Sequence, residues 1–422
     1  MNRNDATFRS CILESGQECL VYGADNLAQF TRPAGNVFSK CDRALACATQ
    51  ADVVILDHRP DPEYQAWLRG LGLGTDHLAV YTPENPGKRL ADLVTEDPKP
   101  ARAAIAAAGK DPVYFPWLSG DPEQMAAGCL GADLFGARAT LTHQYNDKIQ
   151  FKQICRDLGI PVVEGGHARI DPDDGANFDA IRDMARTCLG RSPEILIRAA
   201  VDNTGLSMAY RTDGRDLAGL YHTWTGLKID RVVIEPFLPV RYSPGDQWLI
   251  TRSGSIVHRD MRNQVMDGQW HKGNIKTPHA HIFDWEKIRE TSFRIVSHMA
   301  GAGYVGVVGI DYIQTDEGIY PVENNARVNG STYVLMIVDR IEALSGPVPC
   351  WKSLKAQTTP CGFRDLARRT EGILYNAGTS RSYFPYNCFA LDKTGAFALI
   401  LMAEDMDALA ELERELNGLG IH

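Results

Sequence analysis

The sequence predicts a multidomain chain of mixed α/β and α+β class. A Rossmann-like parallel layer comes first, a largely antiparallel α+β region follows, and a small α+β unit ends the chain. Three observations predict this. The length of 422 residues suggests two to three domains at about 150 residues each. Residues 1–140 alternate short apolar runs with helical stretches, the grammar of βαβ units. From 141 onward strand-like runs follow one another at hairpin spacing.

The elements follow in order. Cys19–Tyr22, Val53–Leu56, Leu78–Tyr81 and Val113–Phe115 read as strands, with helices at 36–50, 60–70 and 98–109 between them. Asn146 or Asp147 can cap a helix running to Leu158, closed by Gly159 and barred from continuing by Pro161. A strand at 162–168 and a helix at 178–189 come next, then strands at 194–199, 206–211, 231–237, 246–252 and 255–261. A helix at 285–300 precedes two strands, 304–314 and 318–324, joined by a turn at Asp316, Glu317 and Gly318. Ser331 or Thr332 can cap the next helix. Helices at 363–375 and 404–417 frame strands at 387–392 and 396–402, joined by a turn at Asp392–Gly395. The expected units are thus 1–140, 141–345 (divided near 230) and 346–422.

Composition narrows the function. The chain is 44% hydrophobic and 23% charged, with a net charge of -9, so a general basic surface for nucleic acid or an anionic membrane is not expected. No apolar run reaches the ~18 residues of a membrane span. The first twenty residues lack an apolar signal core, so a cytoplasmic protein is expected. The ten cysteines include no CxxC pair and read as small buried hydrophobes. RGLGLGTD, with Gly70, Gly72 and Gly74, follows a helix and leads into a strand, the reverse of a dinucleotide fingerprint. No G-x-S-x-G elbow occurs, which leaves serine-hydrolase chemistry without support.

The chemistry concentrates in GIDYIQTDEGIYPVENNARVNG. Glu323 and Asn325 are two apart on one strand and share a face. Arg327 keeps that parity if the extended run persists. A hairpin turning at 316–318 sets Asp311 beside Glu323. Two adjacent carboxylates repel, so the arrangement makes sense around a bound cation. Hard oxygen donors with open positions suit Mg²⁺ carrying triphosphate oxygens. A solvated hairpin face is the alternative.

Here the sequence resembles the ATP-grasp superfamily. The resemblance implies an ATP-grasp fold, two α+β subdomains clasping ATP, behind a pre-grasp domain. It assigns Asp311, Glu323 and Asn325 to Mg²⁺, with two ions expected and Mn²⁺ as a substitute, and Arg327 to phosphate or the substrate carboxylate. YNDKIQFKQICRDLGIPVVEG looks like the opening helix, with Lys148 at the nucleotide phosphates. EILIRAAVDNTGLSMAYR looks like the strand, glycine loop and return strand over the triphosphate. Arg198 stands there where the family usually has lysine, and Gly205 and Ser207 lie in the loop. RVVIEPFLPV looks like the adenine hinge, which places Glu235 and Leu238 at the base, with Asp246 as a ribose partner.

VHRDMRNQVMDGQWHKGN reads as the specificity region. Arg259 and Arg262 are three apart, so both reach one site only through a bulge. Either could stabilise an acyl phosphate. Lys272, Gly273 and Asn274 read as a loop over the site; His258 and His271 are proton-transfer candidates or structural histidines. His279 and His281 lack a third ligand for a metal. Aromatic clusters at Tyr114–Trp117 and Tyr383–Tyr386 read as interdomain packing.

The resemblance implies a carboxylate–amine ligase that acts through an acyl phosphate. The first domain looks like that of natural-product peptide ligases of the pheganomycin type, which points to amino-acid-like substrates. A thiol acceptor on a carrier protein, a small-molecule kinase and a non-catalytic ATP-binding module are the alternatives. A homodimer formed through the first domain is compatible with the sequence.

Overall fold

The computed structural model of the chain describes residues 7–29, 40–82, 88–171, 173, 175–201, 209–268, 270–277 and 283–422. The first layer is a parallel sheet of β1 (Glu18–Gly23), β2 (Val53–Leu56), β3 (Leu78–Val80), β4 (Asp111–Pro116) and β5 (Asp133–Leu134), in the order β3-β2-β1-β4-β5. Val53 to Leu56 are all buried, as a strand covered on both faces requires. Helices Pro62–Gly70 and Lys99–Ala108 fall where expected. Helices Leu90–Glu96, Asp121–Leu130 and Ala139–Asn146 do not show in the sequence pattern. The expected helix at 36–50 is a short 3-10 helix, Cys41–Ala46, and residues 30–39 lie outside the described residues.

Asp147 caps the helix Lys148–Asp157 by accepting from the backbone N–H groups of Ile149 and Gln150, and Gly159 ends the turn at φ +64°. A second sheet follows, antiparallel, of β6 (Gly166–Arg169), β7 (Ile195–Ala199), β8 (Ala209–Thr212) and β9 (Arg231–Pro236), in the order β6-β9-β7-β8. Its core is a separate cluster around Ile181, Ile197, Trp224 and Ile234.

The third sheet has eight strands: β10 (Pro244–Ile250), β11 (Ile256–Asp267), β12 (Trp270–Lys276), β13 (Gly306–Gln314), β14 (Ile319–Asn325), β15 (Cys350–Gln357), β16 (Ser382–Tyr386) and β17 (Ala396–Ala403). Their order is β14-β13-β10-β11-β12-β15-β17-β16, antiparallel throughout. The segment after 346, expected to stand apart, therefore extends this sheet through β12–β15 pairing. It also shares one core with the first layer: Trp67 packs on Phe384 at 5.0 Å and on Phe363 at 5.3 Å.

Several local expectations are corrected. The strand expected at 387–392 lies at 382–386, and the expected turn at 392–395 is a helical turn, Leu391–Thr394. The helix Gly330–Ser345 is capped by Asn329, with Thr332 answering from the third helical position. Lys272, Gly273 and Asn274 lie on β12, paired with β11 and β15, and form no loop. A Cβ at Gly273 would overlap the Ser353 carbonyl oxygen, so glycine there serves close strand approach. None of the ten cysteines is in a disulfide. Among the described residues no helix is long and apolar enough to cross a membrane.

Candidate functional site

The site lies on one face of the eight-stranded sheet, where β14, β13, β10 and β11 run side by side. Asp311 and Glu323 are cross-strand partners in the β13–β14 hairpin, brought opposite by a bulge at Val322, since the next pair toward the turn is Tyr312 with Pro321. Thr315 closes that turn by donating its N–H to the Gly318 carbonyl at 2.9 Å. Asn325 donates from Nδ2 to Asp311 Oδ2 at 2.9 Å, and Gln264 donates from Nε2 to Asp311 Oδ1 at 3.1 Å. Gly309, opposite Asn325, leaves room for the Asn329 side chain, which a Cβ would overlap.

The electrostatics of the pair are unequal. Burial, then the facing Glu323 charge, raises the Asp311 carboxyl to about 6. Burial also acts to raise Glu323, but Lys148, Arg198 and Arg327 outweigh it and hold that carboxyl below its ordinary range. Lys148 Nζ lies 3.1 Å from Glu323 Oε1. The same lysine begins the helix Lys148–Asp157, and its backbone N–H donates to Ala200 O at 2.9 Å. One residue thus links the carboxylates to the strand end before the glycine loop. That loop, with Gly205 and Ser207, lies outside the described residues, as do His279 and His281.

Arg198 donates from Nη2 to Glu235 Oε2 at 2.6 Å and from Nη1 to the Val322 carbonyl at 3.1 Å. Lys152 binds the other Glu235 oxygen at 2.5 Å and the Val163 carbonyl at 2.6 Å. Glu235 is 4% exposed, and the two cations outweigh burial to keep it ionised. Its side chain is therefore occupied within a buried triad and is not turned to a base, which corrects the expected hinge role for that group. Leu238 is half-buried in the link between β9 and β10.

Two further expectations are corrected by sheet parity. Asp246 is fully buried and faces away from Asp311; its carboxylate accepts from Trp248 Nε1 at 2.7 Å and pairs with His258 Nε2 at 2.8 Å. It has no free oxygen for a ribose, and His258 serves the same structural contact. Arg259 is the unopposed residue of a bulge, since Gln247 faces Asp260 and Trp248 faces His258. The bulge does turn Arg259 and Arg262 toward the same helix, Gly330–Ser345. Arg259 is spent on Asp339 at 2.9 Å and lies over the Phe8 ring at 4.9 Å. Asp339 is eight residues beyond Ser331, about 12 Å along the helix, so Arg259 does not reach the carboxylates.

Arg262 lies nearer, and its charge acts on the Asp311 carboxyl. Its Nη2 donates to Ser331 Oγ and to Gln247 Oε1. Arg262 is 4% exposed, while Nε and Nη1 have no hydrogen-bond partner. Burial pushes its pKa down, and the nearby Asp260 and Asp311 charges oppose this. Unpaired guanidinium donors held in the interior are costly, which fits a group kept for an anion. Arg327 lies just past the end of β14, over Trp117 at 5.9 Å. Trp117 in turn stacks on Tyr333 at 6.1 Å, so that aromatic cluster does pack the first layer onto the Gly330–Ser345 helix.

Sequence reasoning missed Gln264, Gln247, Ser331 and Asn329. Gln264 shares parity with Arg262, and Asn329 lies four residues beyond Asn325; both signals were present. Lys152, one helical turn after Lys148, was legible by the same rule.

No protein-family model matches the sequence, and no curated protein sequence matches it. Solved structures do. Biotin carboxylase from Campylobacter jejuni, solved as a beta-gamma-ATP complex, matches with a TM-score of 0.60 at 13% identity, over 96% of this chain and 92% of that one. The biotin carboxylase domain of Hydrogenobacter thermophilus 2-oxoglutarate carboxylase, solved with MgADP, ADP and bicarbonate, matches at 0.59 and 14%, over 94% and 89%. N5-carboxyaminoimidazole synthase from Aspergillus clavatus, solved with ADP and 5-aminoimidazole ribonucleotide, matches at 0.56 and 13%, over 96% and 98%. The shared fold is that of ATP-grasp enzymes, with the parallel layer in front.

Proposed function

We propose that the chain is an ATP-dependent carboxylate–amine ligase that joins small, amino-acid-like substrates through an acyl phosphate. The observation that carries the reading is the half-buried Asp311–Glu323 pair with Asn325, two like charges side by side on a sheet face. That oxygen donor set fits Mg²⁺, and the fold, shared with proteins solved with ADP or ATP, supports a nucleotide beside it. Bound Mg²⁺ and ATP would supply the phosphoryl group that converts a carboxylate to an acyl phosphate, from which phosphate leaves when the amine attacks the carbonyl carbon.

This chain's own residues do the rest. Asp311, Glu323 and Asn325 hold the cation. Lys148 and Arg198 set positive charge beside the phosphates, while Lys152 fixes Glu235 and so the orientation of Arg198. Arg262 offers Nε and Nη1 to the acyl-phosphate oxygens and then to the tetrahedral oxyanion. Arg327 adds a second positive charge at the end of β14.

The test is an ATP-consumption screen over pairs of amino acids, read by product mass, with hydroxylamine present in parallel. ADP release with an acyl hydroxamate supports the reading. ADP release with a phosphorylated alcohol and no hydroxamate overturns it in favour of a kinase. Glu323→Gln should abolish turnover while the chain stays folded; near-normal turnover would overturn the metal assignment.

A further inference from the structure

A second cluster of reactive side chains lies outside that site, where the first layer meets the C-terminal segment. Cys41 opens the 3-10 helix Cys41–Ala46, and Asp57 and His58 directly follow β2. Cys41 Sγ lies 3.1 Å from Asp57 Oδ1 and 3.8 Å from His58 Nδ1, and Asp57 Oδ1 lies 2.6 Å from His58 Nδ1. Among the described residues this is the one group of three or more His, Cys, Asp and Glu side chains with donor atoms within 4.8 Å of one another.

The geometry argues against a nucleophile. A Cys–His–Asp relay needs thiol and carboxylate on opposite ring nitrogens. Here both approach Nδ1, so thiol, carboxylate and imidazole converge on one point. Sulfur, nitrogen and oxygen donors together are the set that a zinc-class cation takes.

The burial of the ring supplies a further observation. His58 is 7% exposed, and its Nε2 is buried without a hydrogen-bond partner. The imidazole is held in the interior by its Nδ1 contacts to Asp57 and Cys41 and by the Phe389 ring. A cation on Nδ1 would use the one ring nitrogen that faces both the thiol and the carboxylate.

We propose that Cys41, Asp57 and His58 bind a zinc-class divalent cation. With metal–ligand bonds of about 2.0 Å, tetrahedral O and N donors lie roughly 3.3 Å apart, so the Asp57–His58 contact opens slightly on binding. The site has a structural consequence. His58 stacks on Phe389 at 3.4 Å, and the Phe389 N–H donates to Asp42 Oδ2 at 3.0 Å. The cation would therefore tie the first layer to the strands that extend the third sheet.

The test uses the full chain, stripped with a chelator and titrated with Zn²⁺ and with Co²⁺. One Zn²⁺ per chain with a raised thermal midpoint is expected, and Co²⁺ should show a thiolate-to-metal absorption band. The band separates this site from the Asp311 cluster, which has no cysteine, so it must persist in Glu323→Gln. Cys41→Ser should remove it. Absence of the band in the unmodified chain overturns the proposal without any variant. So does a band that survives Cys41→Ser.

Discussion

Replacing Asp311 with asparagine separates what the carboxylate pair costs from what it is for. Burial and the facing Glu323 raise the Asp311 carboxyl from 3.8 to about 6. A shift of about two units, at about 1.36 kcal/mol each, penalises the ionised folded state by about 3 kcal/mol. The sign follows from the raised folded-state value. The penalty is absent below about pH 4, grows as the pH rises toward 6, and is complete at pH 7. Asparagine removes the charge and keeps the acceptor for Gln264. Asn325 must turn its amide to present oxygen to the new NH₂ group, which costs at most about 1 kcal/mol. The metal-free variant should therefore be about 2 kcal/mol more stable than the native chain at pH 7, with the gain shrinking below about pH 6. It should also lose turnover, and added Mg²⁺ should stabilise the native chain but not the variant. Urea denaturation of the metal-free chains across that pH range, with ADP release in parallel, measures all three. A metal-free variant less stable than native at pH 7, a gain independent of pH, or retained turnover would each refute the reasoning.

Other outcomes follow from the same geometry. Arg262→Ala should cut turnover by at least a hundredfold with little loss of fold, whereas Arg259→Ala should lower stability through loss of the Asp339 pair and leave kcat near native; steady-state kinetics and thermal melts distinguish them. Glu235→Ala strands Lys152 and Arg198 as buried cations, and breaking such a cluster costs roughly 3–5 kcal/mol, read as a fall in thermal midpoint. Gly273→Ala should destabilise the chain markedly by forcing β12 away from β15; a neutral melt would mean that the segment is a loop after all.

The legible features were local ones. The β13–β14 hairpin is legible because its turn residues are read directly from sequence, while a bulge at Val322 completes the pairing of Asp311 with Glu323. Lys148 sits at the start of its helix because Asp147 is the cap. Asp246 and Arg259 lie apart from the carboxylates for different reasons: Asp246 is on the opposite sheet face, whereas a bulge turns Arg259 to the same helix as Arg262 but Asp339 holds it. Parity along one strand is visible in sequence, but which face meets the site depends on the neighbouring strands and on a bulge. Asp246 shares a face with Trp248 and His258, and its acidity alone suggested a ligand role.

The sequence by itself determined the class of chain, the order of its α/β and antiparallel regions, and the oxygen cluster of Asp311, Glu323 and Asn325. Each depends on contacts between residues close along the chain, whose geometry follows from helix and strand periods. Only the tertiary structure decided that β15, β16 and β17 extend the third sheet, that Glu235 holds Lys152 and Arg198, and that Gln247 and Ser331 frame Arg262. Those contacts include pairs 37 to 84 positions apart. Their partners are selected by burial and charge compensation in the folded interior, which no local period encodes.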